Sequence, residues 1–121
     1  MDILLVDDSK TMRQLVKRAL RQAGYENLQI GEAGNGAEAL SMVQAEQPKL
    51  VLSDWNMPEM LGIDLLKRVR GQNCQVPFGF ITSESSEDIR ETAMKEGASF
   101  FITKPFTPEN IDAALAPHMS K

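Results

Sequence analysis

The sequence holds one cysteine, Cys74, and one histidine, His118, in 121 residues. A lone thiol cannot close an internal disulfide and has no companion for a thiolate metal cluster. His118, three residues from the end, is expected in a solvated or helix-capping role. Long hydrophobic runs are also missing. The apolar stretches last a few residues each, too short to span a bilayer, so no membrane insertion is expected. Asp2 interrupts the amino terminus and no signal-peptide hydrophobic region follows it, which predicts a cytoplasmic location. Basic charge is in deficit: the net charge is −4, and direct nucleic-acid binding needs a basic surface against phosphates. Repeats, low-complexity tracts and linkers are absent as well. The length predicts a single domain over 1–121, large enough to bury roughly two-thirds of its unfolded surface.

What is present is an alternation. Short runs at 2–6 (DILLV), 28–33 (LQIGEA), 49–53 (KLVLS), 77–82 (PFGFIT) and 99–103 (SFFIT) are mostly continuous and apolar, as expected of strands covered on both faces. Helical periodicity separates them. In the first helix Met12, Leu15, Val16, Ala19, Leu20 and Ala23 share an apolar face ahead of Gly24. Its opposite face carries Lys10, Arg13, Lys17 and Arg21, either a solvated stripe or a docking surface for an acidic partner. A second helix opens at Asn35 with Glu38 at capping-box spacing and buries Ala39, Leu40 and Val43. The third uses Leu65, Leu66 and Val69 and stops at Gly71; the fourth opens at Ser85 or Ser86, uses Ile89, Ala93 and Met94, and stops at Gly97. Thr107 caps the fifth, with Pro108 at its first position and Ile111, Ala114 and Leu115 inward. Five β–α units predict an α/β fold, a doubly wound parallel sheet with helices on both faces. A dinucleotide-binding variant is disfavoured, because the first strand runs into "DDSKTM" and not into G-x-G-x-x-G.

Ligands of open α/β sheets bind at the carboxyl ends of strands. There the first strand delivers Asp7 and Asp8, the third Asp54, the fourth Thr82 and the fifth Lys104. Each has an ordinary reading alone, such as a helix cap for Asp8 or a β-branched strand residue for Thr82. Together these readings fail. Carboxylates ~6 Å apart repel by roughly 3 kcal/mol per pair at an effective dielectric near 20, which a hard dication relieves. All-oxygen donors point to Mg²⁺; Ca²⁺ is disfavoured because the D-x-[DN]-x-[DN]-G loop is missing. A metal, a threonine hydroxyl and an ammonium converging suggest a phosphoryl ligand.

Asp54 is then either a metal ligand only or the nucleophile that attacks phosphorus. Phosphotransferases with a D-x-D motif carry an acid/base carboxylate two residues after the nucleophile. Here that position is Asn56, whose amide cannot usefully accept a proton. A phosphoaspartate at Asp54 should therefore persist, as a signal does.

The segments "VDDS", "SDWNMPEM", "ITSES" and "GASFFITKPF", with the spacing between them, resemble the receiver domain of response regulators over essentially the whole chain, and most nearly its single-domain chemotaxis branch. The resemblance implies a flavodoxin-like (βα)5 fold with strand order 2-1-3-4-5. It implies that Asp54 accepts a phosphoryl group from a histidine kinase. Asp8 and Asp54 would bind Mg²⁺ directly, the backbone carbonyl of Asn56 would be a third ligand, and Asp7 would act through water. Lys104 and Thr82 would hold phosphoryl oxygens, and Phe101 would swing from exposed to buried as Thr82 moves. The output face would be helix 4, strand 5 and helix 5, and the Lys104–Pro105 bond would be cis. A flagellar motor switch protein is the first target this implies; an adaptor role in pilus motility or another pathway is the alternative.

Three positions depart from the family pattern. Phe101 stands where tyrosine is common, so any readout there is packing without a hydroxyl bond. Leu61 precedes Gly62 where an acidic residue is common, altering the surface a helper phosphatase would meet. Ser83 replaces a frequent alanine. Beside the acidic cluster, Trp55 is either a rim-packing residue or part of a partner surface, and Met57 is core filler. Glu84 is either solvated or, with Asn56, a flank of the attacking water's path that tunes dephosphorylation. A Mg²⁺-dependent phosphatase for small esters is the enzymatic rival; Asn56 argues against it, and beyond its own phosphorylation and slow dephosphorylation the chain is not expected to be an enzyme.

Overall fold

The structure is a computed structural model and describes residues 1–84 and 86–121. Five strands alternate with five helices: β1 (Ile3–Val6), α1 (Lys10–Gln22), β2 (Ile30–Ala33), α2 (Gly36–Glu46), β3 (Leu50–Ser53), α3 (Gly62–Gly71), β4 (Phe78–Thr82), α4 (Glu87–Lys95), β5 (Phe100–Thr103) and α5 (Pro108–Leu115). All pairings are parallel, in the order β2-β1-β3-β4-β5.

Side chains alternate between the faces of a strand, and the strands sort accordingly into two cores. Leu4, Val6, Val51, Phe78 and Phe80 pack with Ala39 and Val43 of α2, Leu65, Leu66 and Val69 of α3 and Ala93 of α4. Ile3, Leu5, Leu50, Leu52 and Ile81 pack with Val16, Ala19 and Leu20 of α1 and Ile111 and Leu115 of α5. Each fully buried large apolar side chain is worth ~1.5–3 kcal/mol of transfer free energy, so both faces contribute. Among the described residues no helix is long and apolar enough to cross a membrane.

Asn35, Thr107 and Ser86, one of the two serines offered for α4, are caps as the sequence indicates, whereas α1 is capped by Ser9 and not by Asp8. Ser9, Asn35, Ser86 and Thr107 each accept a backbone N–H of the first turn. Thr107 and Asn110 form a reciprocal capping box. At Asn35 the box stays half open, because the Glu38 carboxylate reaches the Gly34 N–H at 3.5 Å. Gly24 and Gly97 adopt left-handed φ of 103° and 102° beyond α1 and α4, the conformation glycine takes without a Cβ clash. After α3 the left-handed residue is Asn73, two beyond Gly71.

Several expectations are corrected. Every strand begins one or two residues later than its apolar run, because only the paired segment forms the ladder. Leu15 and Met94 are 48% and 47% exposed, although the periodicity of α1 and α4 placed both on the apolar face. Each lies at the margin of a stripe that is wider than the sheet area its helix covers. Leu40, Ile89 and Ala114 are only partly buried. Ser85, the other candidate opening of α4, lies outside the described residues. His118 is exposed, the solvated one of its two expected roles, while the C-cap of α5 is Ala116.

Candidate functional site

Adjacent parallel strands bring the two central carboxylates together. Val6 is in register with Ser53, so Asp7 and Asp54 leave β1 and β3 side by side, and the Asp54 N–H donates to the Val6 carbonyl at 2.9 Å. Asp8 joins from the β1–α1 loop, and oxygens of Asp7, Asp8 and Asp54 all lie within 4.8 Å of one another. Lys104 follows β5, where its backbone N–H is held by the Thr82 carbonyl at 2.8 Å. Its Nζ stands 3.5 Å from both Asp7 Oδ2 and Asp54 Oδ2. The Lys104–Pro105 bond is cis.

One ammonium thus faces three carboxylates. At 4.8 Å each carboxylate pair repels by roughly 3–4 kcal/mol at an effective dielectric near 20, and Lys104 offsets part of this. Burial, followed by the charges of Asp54 and Asp8, pushes the Asp7 carboxyl above its ordinary range, against the opposing Ser9 N–H bond and Lys104. These hard oxygen donors and their excess negative charge fit Mg²⁺.

The two oxygens of Asp54 have different surroundings. Oδ1 accepts the Trp55 N–H at 2.7 Å, while Oδ2 faces Lys104. Trp55 is only 8% exposed, and its ring lies against Phe80 and Phe101 at centroid distances of 5.1 and 6.4 Å. Of its two readings, rim packing is the one observed. Met57 is buried in the same cluster, as expected. Phe101 is 9% exposed, in the inward of its two expected positions, with the Arg90 guanidinium 5.2 Å over its ring. Thr82 is fully buried and its Oγ1 accepts the Glu84 N–H at 3.1 Å. Asn56 and Glu84 meet: the amide donates to the carboxylate at 3.1 Å, so Glu84 is not simply solvated.

Two contributors went unread in the sequence. Gly62 donates its N–H to the Trp55 carbonyl at 2.8 Å, and a Cβ there would run into the Asp54 carbonyl and lie 2.8 Å from the Phe80 ring. A glycine at the first position of a helix, where better helix formers exist, was the available signal. Arg13 is the other. It had been placed on a basic stripe, yet it donates to the Asp7 backbone carbonyl and to Glu32.

The profile of the response regulator receiver domain matches residues 3–116. The chain belongs to that family. As a receiver domain it is 44% identical to chemotaxis protein CheY1 of Helicobacter pylori over 118 residues, 95% of this chain and 94% of that protein. It is 39% identical to the CheY homolog of Campylobacter jejuni, over 95% of this chain and 89% of that one. Among solved structures it is similar to chemotaxis protein CheY4 of Vibrio cholerae, with 35% identity, a TM-score of 0.85 and 98% of both chains covered. The signal receiver domain of a LuxO repressor protein of Vibrio parahaemolyticus superposes with a TM-score of 0.89 at 25% identity, over 97% of this chain and 88% of that one. The flavodoxin-like fold and the 2-1-3-4-5 order expected from the resemblance are both present. Receiver domains bind Mg²⁺ at an acidic pocket, and this one has the acidic cluster to do so. As a CheY-related receiver it is a phosphorylation-dependent response regulator of two-component signalling, which implies a histidine kinase as phosphodonor and protein targets.

Proposed function

We propose that this receiver domain is a chemotaxis switch: Asp54 accepts a phosphoryl group from a histidine kinase, and the modified domain changes its affinity for a flagellar motor switch protein through the α4–β5–α5 face. The observation that carries the reading is the placement of Asp54 Oδ2 at the sheet rim, 3.5 Å from Lys104 Nζ and beside the carboxylates of Asp7 and Asp8. The names of the Helicobacter and Campylobacter relatives support the chemotaxis assignment.

In the transfer, a carboxylate oxygen of Asp54 attacks phosphorus in line, the P–N bond to the donor imidazole breaks, and the imidazole leaves with a proton. The Trp55 N–H holds Oδ1, which leaves Oδ2 as the attacking atom. Lys104 offsets charge on one phosphoryl oxygen, and the Thr82 hydroxyl, released from the Glu84 N–H, donates to another. Asp8, Asp54 and the Asn56 carbonyl would hold Mg²⁺, with Asp7 acting through water. When bound, the ion supplies the positive charge that lets a phosphoryl group approach three carboxylates. Asn56, two residues after Asp54 where a turnover phosphotransferase carries its general base, is an amide that donates to Glu84, so dephosphorylation is slow and the chain acts as a switch.

The deciding experiment is mass spectrometry after incubation with Mg²⁺ and acetyl phosphate. An alkali-labile adduct of one phosphoryl mass on Asp54, lost in Asp54→Asn, is expected. Wild-type protein that binds Mg²⁺ and yields no adduct would overturn the assignment.

A further inference from the structure

Lys10, Arg13, Lys17 and Arg21 repeat at helical spacing along α1, yet the structure divides the stripe. Arg13 Nε and Lys17 Nζ turn onto the carboxylate of Glu32 in β2, at 2.9 and 3.3 Å. The Arg13 side chain is 16% exposed, well below what a solvated arginine shows. The same guanidinium uses its Nη1 to donate to the backbone carbonyl of Asp7.

We infer that Arg13, anchored by Glu32, is a positioning residue for the metal-binding acidic rim, holding the Asp7–Asp8 peptide so that both carboxylates face Asp54. Because a peptide unit is planar, fixing the Asp7 carbonyl oxygen also fixes the nitrogen and Cα of Asp8. Asp7 is tied on its other sides: its N–H donates to the Ala33 carbonyl, Oδ1 accepts the Ser9 N–H, and Oδ2 meets Lys104. Asp8 is exposed, and its carboxylate reaches the cluster from the backbone that Arg13 orients. An arginine suits the task because its rigid fork serves two acceptors at once, the Glu32 carboxylate through Nε and the Asp7 carbonyl through Nη1.

Charge and geometry make opposite predictions here, so the inference can be tested. Arg13 is a cation near a proposed cation site. If charge alone mattered, Arg13→Ala would tighten Mg²⁺ binding and Arg13→Lys would leave it unchanged. Positioning predicts that both variants weaken it.

The inference rests on the acidic rim being a Mg²⁺ site, and calorimetric titration with MgCl₂, with Trp55 fluorescence as a second readout, keeps the two separable. Arg13→Ala should weaken Mg²⁺ binding by roughly tenfold, the lower end for groups that orient metal ligands. Arg13→Lys should weaken it less, and Glu32→Gln should also weaken it by releasing the anchor. The same variants should keep the wild-type circular-dichroism spectrum at the titration temperature, so a change in affinity is not a loss of fold. Equal or tighter binding in Arg13→Ala, with wild type titrating normally, would overturn the positioning role and leave the metal site standing. Wild type that shows no Mg²⁺ response would remove both.

Discussion

The two ends of the sheet are made from the same strands and are built on opposite rules. At the amino end Ile3, Leu50 and Phe78 are completely buried and apolar. At the carboxyl end, the next few residues of those strands and loops bring Asp7, Ser53 and Thr82, the buried polar or charged groups among the described residues. Each has partners: the Asp7 carboxylate accepts the Ser9 N–H, Ser53 Oγ donates to the Asp54 carbonyl at 2.9 Å, and Thr82 Oγ1 accepts the Glu84 N–H. Among the described residues no buried side-chain polar atom lacks a hydrogen bond. The carboxyl end is satisfied in hydrogen bonds but not in charge. That difference locates stability at one end and a standing electrostatic cost, recoverable by a ligand, at the other.

The contrast is broken most severely at its apolar end. Phe78→Ala should lower stability by ~3–5 kcal/mol, since it removes a fully buried ring that packs 5.3 Å from Phe80. Urea denaturation would measure the loss, and Mg²⁺ affinity of the folded fraction should stay near wild type. A large loss of affinity would mean that the two ends are not separable.

Asp7→Asn should act in the other direction. Removing one of three mutually repelling carboxylates should stabilise the metal-free protein by on the order of 1–2 kcal/mol, after the lost contact with Lys104 is counted. The pH dependence follows from the raised Asp7 pKa. The folded state holds that proton more readily than the unfolded chain, so the stability it confers is full below the ordinary carboxyl pKa. It is lost as pH rises through the folded value. Thermal melts across the acid range should show this decline in wild type and a smaller one in Asp7→Asn, while added Mg²⁺ should raise the wild-type melting temperature more than that of the variant.

The smallest effect probes a neutral buried hydroxyl away from the acidic rim. Tyr25 is 1% exposed and its hydroxyl donates to Asp112 at 2.9 Å. Tyr25→Phe should cost about 1 kcal/mol. Burial and the Asp112 carboxylate push the Tyr25 pKa up to about 12. Its contribution is therefore complete below the ordinary tyrosine value and fades as pH rises through about 12. Alkaline melts should be less pH-dependent in Tyr25→Phe.

Much of this could be read from residue order. Short, mostly continuous apolar runs marked the strands, although β2, interrupted by Gln29 and Glu32, is an edge strand left largely half-buried. Ser86, Asn35, Thr107 and the glycines at 24 and 97 marked helix ends, because caps and left-handed turns are decided within a few neighbouring residues. The acidic residues and Lys104 were legible as a group because strand ends in a parallel sheet converge on one rim. Leu15 and Met94 were misread because periodicity gives the direction of a helix face but not how far the neighbouring layer extends over it. Trp55 could not be placed from its neighbours in sequence, since its burial depends on Phe80 and Phe101 from two other strands.

By itself, then, the sequence determined the alternation of elements, their caps and the hard-oxygen chemistry of the rim, all set by local propensity and by residue type. The sheet order carried by the family resemblance was not derivable from spacing. Tertiary structure alone decided that Arg13 leaves its basic stripe for Glu32 and the Asp7 carbonyl, that Asn56 bonds Glu84, and that Gly62 must lack a Cβ beside the Asp54 carbonyl. These contacts join residues from 6 to 28 positions apart in the chain, and no local rule fixes the distance between them until the sheet has assembled.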